Sequence, residues 1–544
     1  MAPKPDGVAV YLSNSLPSAL PYARSATTTV LLFLGLVYAT DGEIPYPDYI
    51  YPYIEDWRPT IIWELVVGFV LAFALSFSVG ANDCANSLGT AVGSGVMTLK
   101  MACICGTIFE TIGAVFLSGN VIELLTTGLL NIEDYKTQYN ETTMTFDPPI
   151  NGTGEGKNFT TFDPEVMLML GEIGVISGSA LWQIIASLLA WPVSSSHSVI
   201  GALLGFALVA NGTHGINWSV LIKIVIAWVA SPLLATLFSI ALYYPIRKFI
   251  VMADDPLKYG LIAFPLLWGF AGFLNAGVIL TTGDIFYDLT GLSKGVLWGI
   301  SAGFGLAVLI AVAISVKMDW WGFSQYQNND KPEQQIKSEI NKAFPEVNNE
   351  IKKEENDEEE DPDVQVEEID PDEDGPETRH LFRALLWVSA CSGAMAHGGN
   401  NVGNAVGPAI LMWLIYQTPL TFEVEDPPFW ILLYGGIGIS VGLWILGHKT
   451  IETVGKDLAK VTPSRGFCVE IMCAVTVQIC TVFGFPISTT QCKVGSVVGI
   501  GMIRGVNEVN LKLFYSIAAA WVITIPASAL VSAGIYEILY LIVF

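Results

Sequence analysis

The sequence predicts an all-α polytopic membrane protein of about twelve transmembrane helices, arranged as an inverted repeat with broken, re-entrant segments. Three observations carry this expectation. The 544-residue chain is 52% hydrophobic and only 14% charged, with a mean hydropathy of +0.52. Apolar runs close to the length that crosses a hydrocarbon core recur from end to end. Two short polar motifs, set inside such runs, each occur twice and in the same order.

Residues 1–59 read as a leader and a first external segment. TTVLLFLGLVYA (residues 28–39) is apolar but too short to span, follows Arg24 and ends in small residues. That pattern fits a signal peptide over about residues 1–39, or a leader that stays attached. Residues 60–320 form the first membrane region, with apolar cores at 61–79, 101–119, 166–190, 198–210, 220–246, 260–280 and 292–316. Residues 321–380 separate it from the second region, 381–544, with cores at 381–396, 402–417, 429–447, 466–485, 493–503 and 513–543. The shorter cores are expected to be half-helices. The separating stretch contains EENDEEEDPDVQVEEIDPDEDGPE (residues 354–377), which has no Lys or Arg and holds much of the net charge of −25. Such a block cannot bury enough apolar area to fold, so a disordered loop is expected, with a regulatory docking segment as the alternative.

Orientation follows from two signals. Asn140, Asn151 and Asn158 head three glycosylation sequons in one polar stretch, residues 131–165, which places it outside. Asn211 and Asn217 also head sequons, but lie close to apolar cores. The basic residues Arg247, Lys248 and Lys258, and Lys449, Lys456, Lys460 and Arg465, fall on the opposite side, as the positive-inside rule expects. The acidic loop falls there too. The eight cysteines lie in or beside apolar cores and read as packing residues.

GANDCANSLG (residues 80–89) aligns without gaps on GGNNVGNAVG (398–407), and PVSSSHSVIG (192–201) on PISTTQCKVG (486–495). With the sequon stretch outside, the first copy is entered from outside and the second from inside. That is the inverted repeat of many secondary transporters, whose sites lie at midplane on interrupted helices. The glycines are expected to break the helix and free backbone groups, which are tolerated at that depth only where they line a cavity or bind something. Half-helix N-termini suit an anion. Freed carbonyls and a carboxylate suit a small hard cation.

The polar residues divide accordingly. Asn82, Asp83, Asn86, Asn400, Asn404, Ser194, Ser195, Ser196, Ser488, Thr489 and Thr490 are the candidate oxyanion ligands. Asp83, Asn86, Asn401, Asn404, Ser194 and Ser488 are the candidate cation ligands. No arginine lies in a motif, and a site without a fixed cation can hold an oxyanion if co-bound cations offset its charge. Co-transport is therefore favoured over a simple anion pore.

These motifs, with FETIGAV, GSALWQ, AHGGNNVGNAVGP, GGIGISVGL and IETVG, resemble the PiT family of inorganic phosphate transporters, of the animal, sodium-coupled kind. The resemblance covers roughly residues 60–320 and 380–544. It implies import of inorganic phosphate, mainly the monovalent form, with sodium, and no cofactor beyond that co-transported ion. It further implies a plasma-membrane protein with both termini outside, a cytoplasmic central loop and a homodimer. It implies no enzyme activity and no nucleic-acid partner. By the same resemblance Asp83, Ser194 and Ser488 matter for transport, and so do Glu110, Glu172 and Glu470. The second copy departs from the family pattern twice, with Asn401 for aspartate and Gln491 for histidine. A proton-coupled or other-oxyanion transporter of the same fold, or a non-transporting phosphate sensor, therefore stays open beside the sodium-coupled importer.

Overall fold

The computed structural model describes residues 51–118, 122, 128–140, 145–147, 163–282, 291–327, 373–420, 427–482 and 487–544. The leader to residue 50, the sequons at Asn151 and Asn158 and acidic residues 354–372 lie outside this set. Ile61–Phe544 form one unit; the described residues before it are helical. The helices are α1 (Tyr51–Val79), α2 (Ala85–Gly93), α3 (Leu99–Phe116), α4 (Asp163–Leu188), α5 (Ser195–Ala210), α6 (Trp218–Ile246), α7 (Pro256–Thr282) and α8 (Lys294–Lys317). The second half adds α9 (Pro376–Gln417), α10 (Phe429–Glu452), α11 (Pro463–Val482), α12 (Thr489–Arg504) and α13 (Leu511–Val543). One small departure from all-α is an antiparallel pair, β1 (Gln138–Asn140) and β2 (Thr145–Asp147), which places the backbone of Asn140 opposite Thr145.

Eight helices among the described residues are long and apolar enough to cross a bilayer. Their outward faces carry Leu233, Leu237, Ile262, Leu306, Val522 and Leu530, all exposed. That surface suits hydrocarbon, where the helices' internal hydrogen bonds leave no backbone group unpaired. The protein is an integral membrane protein.

The glycine-rich motifs do not break their helices as expected. Gly80–Cys84 is a π-helical turn with right-handed helical residues on both sides, so α1 continues into α2. Gly398–Gly407 lies inside the unbroken 42-residue α9, which joins the two expected cores at 381–396 and 402–417. The glycines serve close crossing instead. A Cβ on Gly80 would sit 1.8 Å from the Ile439 carbonyl oxygen, and one on Gly442 1.8 Å from that of Phe77. A Cβ on Gly398 would sit 2.2 Å from the Glu110 carbonyl oxygen, and one on Gly113 1.9 Å from that of Met395. Aligning Gly80 with Gly398 also aligns Phe77 with Met395; aligning Gly113 with Gly442 aligns Glu110 with Ile439. The two crossings, the first motif helix on α10 and α9 on α3, are therefore the same contact made twice.

The real interruptions fall at the serine motifs. α5 and α12 are each 16 residues long, about 24 Å at 1.5 Å per residue, short of a roughly 30 Å hydrocarbon core. Each starts at an extended, buried serine, Ser194 and Ser488.

The expected acidic loop, 321–380, is ordered at both ends. Trp321 and Phe323 pack edge-to-face on Phe264, and His380 Nε2 lies 2.8 Å from the Trp321 carbonyl oxygen. At the other end Asp374 is buried. Its carboxylate accepts from Ser464 N at 2.9 Å and Ser464 Oγ at 2.6 Å, capping the start of α11. Glu373 pairs with Lys460 and Arg379, and the Lys460 ammonium holds its carboxyl below the usual range. Acidic composition hid these residues because the pattern could not show that a helix terminus across the chain needed a carboxylate. Asp374→Ala is expected to cost about 1–2 kcal/mol, the scale of a lost N-cap. Thermal unfolding of the detergent-solubilised protein reads this, and an unchanged midpoint would show that the cap contributes nothing.

Candidate functional site

α5 and α12 begin alike. Ser194 and Ser488 are extended N-cap residues whose Oγ atoms accept from His197 N at 3.4 Å and Gln491 N at 3.3 Å. Serine is placed there because a helix's first N–H groups lack partners within the helix. As caps, these two serines position the half-helices as well as lining the site.

Asp83 joins the two starts. Its Oδ2 accepts from Ser195 N at 2.8 Å and its Oδ1 from Thr490 Oγ1 at 2.6 Å. The π-helical turn carries Asp83 at this point; such turns occur often at functional sites. A carboxylate between two helix N-termini is stabilised by both dipoles and by charge-assisted hydrogen bonds.

The second motif reaches the same place. Asn404 Nδ2 lies 3.0 Å from Ser195 Oγ and 3.1 Å from Ser196 Oγ, and donates to Asn401 Oδ1 at 3.0 Å. Asn401 Nδ2 lies 3.4 Å from Thr489 Oγ1 and bonds His397 Nε2. Hence Asp83, Ser194, Ser195, Ser196, Asn401, Asn404, Ser488 and Thr490, all buried, and the half-buried Thr489 form one cluster drawn from both halves. At its far edge the equivalent positions His197 and Gln491 face each other, 3.2 Å apart, with His197 stacked on Trp228.

Two expected ligands do not join the cluster's hydrogen bonds. Asn82 binds the approach to α5, with Nδ2 on the Trp191 carbonyl at 2.8 Å and Ser187 Oγ at 3.2 Å, and Oδ1 accepting from Val193 N at 2.9 Å. It is a positioning residue, and its amide groups are occupied. Asn400 buries its Nδ2 without a partner. The side chain of Asn86 lies outside the described set.

Two acid–base pairs stand beside the cluster, and only their acids were expected. Glu110 accepts from Ser87 Oγ at 3.2 Å and pairs with His397 Nδ1 at 2.9 Å. Glu470 bonds Thr90 and Lys493, all three buried. A cavity of about 30 Å³ lies between His397, Glu470, Thr489 and Lys493. Lys493 corrects the expectation of a site without a fixed cation. The signal was legible, since a lysine in the apolar run after PISTTQ needs a partner at membrane depth. Glu470 neutralises it, so Asp83 remains the carboxylate of the cluster without a basic side chain among its hydrogen-bond partners. Glu172 lies buried on α4.

The profile of the phosphate transporter family matches residues 79–532. The chain is 31% identical to sodium-dependent phosphate transporter 1-A of Danio rerio, over 89% of this chain and 96% of that protein. It is 30% identical to sodium-dependent phosphate transporter 2 of Xenopus laevis, over 88% of this chain and 98% of that one. Among solved structures it resembles a sodium-dependent phosphate transporter with a TM-score of 0.68 and 28% identity, covering 88% of this chain and 100% of that one. With the paired motifs converging on one buried site, the chain belongs to the phosphate transporter family.

Proposed function

We propose that this protein imports inorganic phosphate together with sodium, by alternating access, across the plasma membrane. The observation that supports this best is Asp83, whose carboxylate bridges the N-termini of half-helices from both repeats. Helix N-termini and the hydroxyls of Ser195, Ser196 and Thr489 are donors for a phosphate. That phosphate and Asp83 repel each other at close range unless a cation sits between them. Sodium, ligated by Asp83 with the amide oxygen of Asn401 or Asn404, supplies that charge and makes binding of the two ions mutually dependent. The sequon stretch and both termini face outside, the acidic segment faces the cytoplasm, and the protein works as a homodimer. Uptake into proteoliposomes under a sodium gradient tests the reading; uptake driven equally well by a proton gradient alone would favour proton coupling instead.

Asn401→Asp probes the second half of the site. Asn401 donates to His397 Nε2, so the proton on the ring is directed from Nδ1 toward Glu110. A carboxylate has no N–H to offer, and the ring must take a second proton to keep that bond. The added charge is then largely offset. An uncompensated carboxylate worth about 1.4 kcal/mol would lower the sodium needed for half-maximal uptake roughly tenfold; the expected shift at neutral pH is smaller. A sodium titration normalised to surface protein measures it. A full tenfold shift would contradict the role given to His397.

A further inference from the structure

α4 presents two unlike faces. Gly174 and Gly178 lie on one face, where an added Cβ would meet the Ser532 and Ser528 carbonyl oxygens of α13 at 2.9 and 2.8 Å. Glu165, Glu172, Ser179, Gln183 and Ser187 recur at spacings of seven and four residues, which puts them on one stripe of the other face. All five are buried, at no more than 1% exposure.

The ends of the stripe are satisfied. Glu165 accepts from Thr137 N at 2.6 Å and Thr137 Oγ1 at 2.7 Å. Ser187 Oγ donates to the Gln183 carbonyl at 2.8 Å and lies 3.2 Å from Asn82 Nδ2, next to Asp83 in the chain. The middle is not satisfied. Glu172 Oε1, Ser179 Oγ and both amide atoms of Gln183 are buried without a hydrogen-bond partner. A buried polar atom left bare costs about 1–3 kcal/mol, and native proteins fill such places with water or ions. Four such atoms in sequence along one face are not a packing accident of a single side chain.

We infer that Glu172, Ser179 and Gln183 line a narrow hydrated row that takes a small hard cation, sodium, and leads it along α4 to the Asn82–Asp83 end. From Glu172 to Ser187 the row runs about 22 Å at 1.5 Å per residue. Its free groups include three kinds of oxygen, from a carboxylate, a hydroxyl and an amide, which suit a cation. The Gln183 amide N–H groups donate to the accompanying water. No basic side chain lies on the stripe, so nothing on α4 itself favours an anion there. The inference rests on the proposed sodium coupling, which assigns the end of the row.

Two measurements test it together. Ser179→Cys is nearly isosteric, and the eight native cysteines are all buried, so the wild type gives the background for thiol labelling in membranes. A small cationic methanethiosulfonate is expected to modify the new thiol at least tenfold faster than an anionic one of similar size, and sodium is expected to slow it. Gln183→Leu is expected to raise the sodium needed for half-maximal phosphate uptake about tenfold, with half-saturation by phosphate unchanged at saturating sodium. A thiol inert to both reagents, or one modified equally by both, overturns the cation row. So does an unshifted sodium curve for Gln183→Leu at normal surface level. If the wild type itself shows no sodium-dependent uptake while the cationic reagent still labels selectively, the transport reading fails and the row stands.

Discussion

Asp83→Asn reduces sodium-driven phosphate uptake to background while the protein still reaches the membrane. The amide is isosteric, and its one oxygen can keep the bond from Ser195 N while the Thr490 hydroxyl turns to accept from the new N–H2. The fold therefore survives. The charge does not. The sodium site loses its charged ligand, because Asn401 and Asn404 are neutral, and a loss of roughly 2.8 kcal/mol already corresponds to a hundredfold change. Uptake normalised to surface protein is the measurement, and wild-type uptake with an unchanged sodium curve would remove Asp83 from the site.

Lys493→Met and Glu470→Gln each lower stability sharply, and the double substitution recovers most of it. The two side chains are buried against each other and against Thr90. Removing one partner leaves a bare charge, a loss of about 3–5 kcal/mol, whereas replacing both with uncharged groups is often close to neutral. Against total stabilities of about 5–15 kcal/mol, either single loss should cut the amount of folded protein severalfold. Surface level and thermal midpoint of the two single variants and the double variant form a mutant cycle. Additive losses in the double variant would show that the charges are not coupled.

The outline of this site was legible in the sequence because its logic is local. A repeated polar motif inside an apolar run has few explanations, and its hydroxyls and amides single out the candidate ligands. Asp83 stood out as a charge at membrane depth. What escaped was set by tertiary contact. The motif pattern predicts that the glycines break the helix, yet Gly80 and Gly398 sit in continuous helices and let the Ile439 and Glu110 backbone approach. No local pattern separates a glycine that breaks from one that admits a neighbour. Asn82 looked like a ligand because it precedes Asp83, but its partners are about a hundred residues away, at Ser187, Trp191 and Val193. Asp374 was lost in a run of acids because its purpose belongs to α11.

The claim that carries the rest is that sodium and phosphate occupy one site held by Asp83 and the two half-helix starts. Radiolabelled phosphate uptake in a transport-deficient host, with sodium replaced by choline, tests it most directly. The account predicts uptake that saturates with phosphate, falls to background in choline, and needs less phosphate for half-saturation as sodium rises. Equal uptake in choline and sodium, at confirmed surface expression, would contradict it.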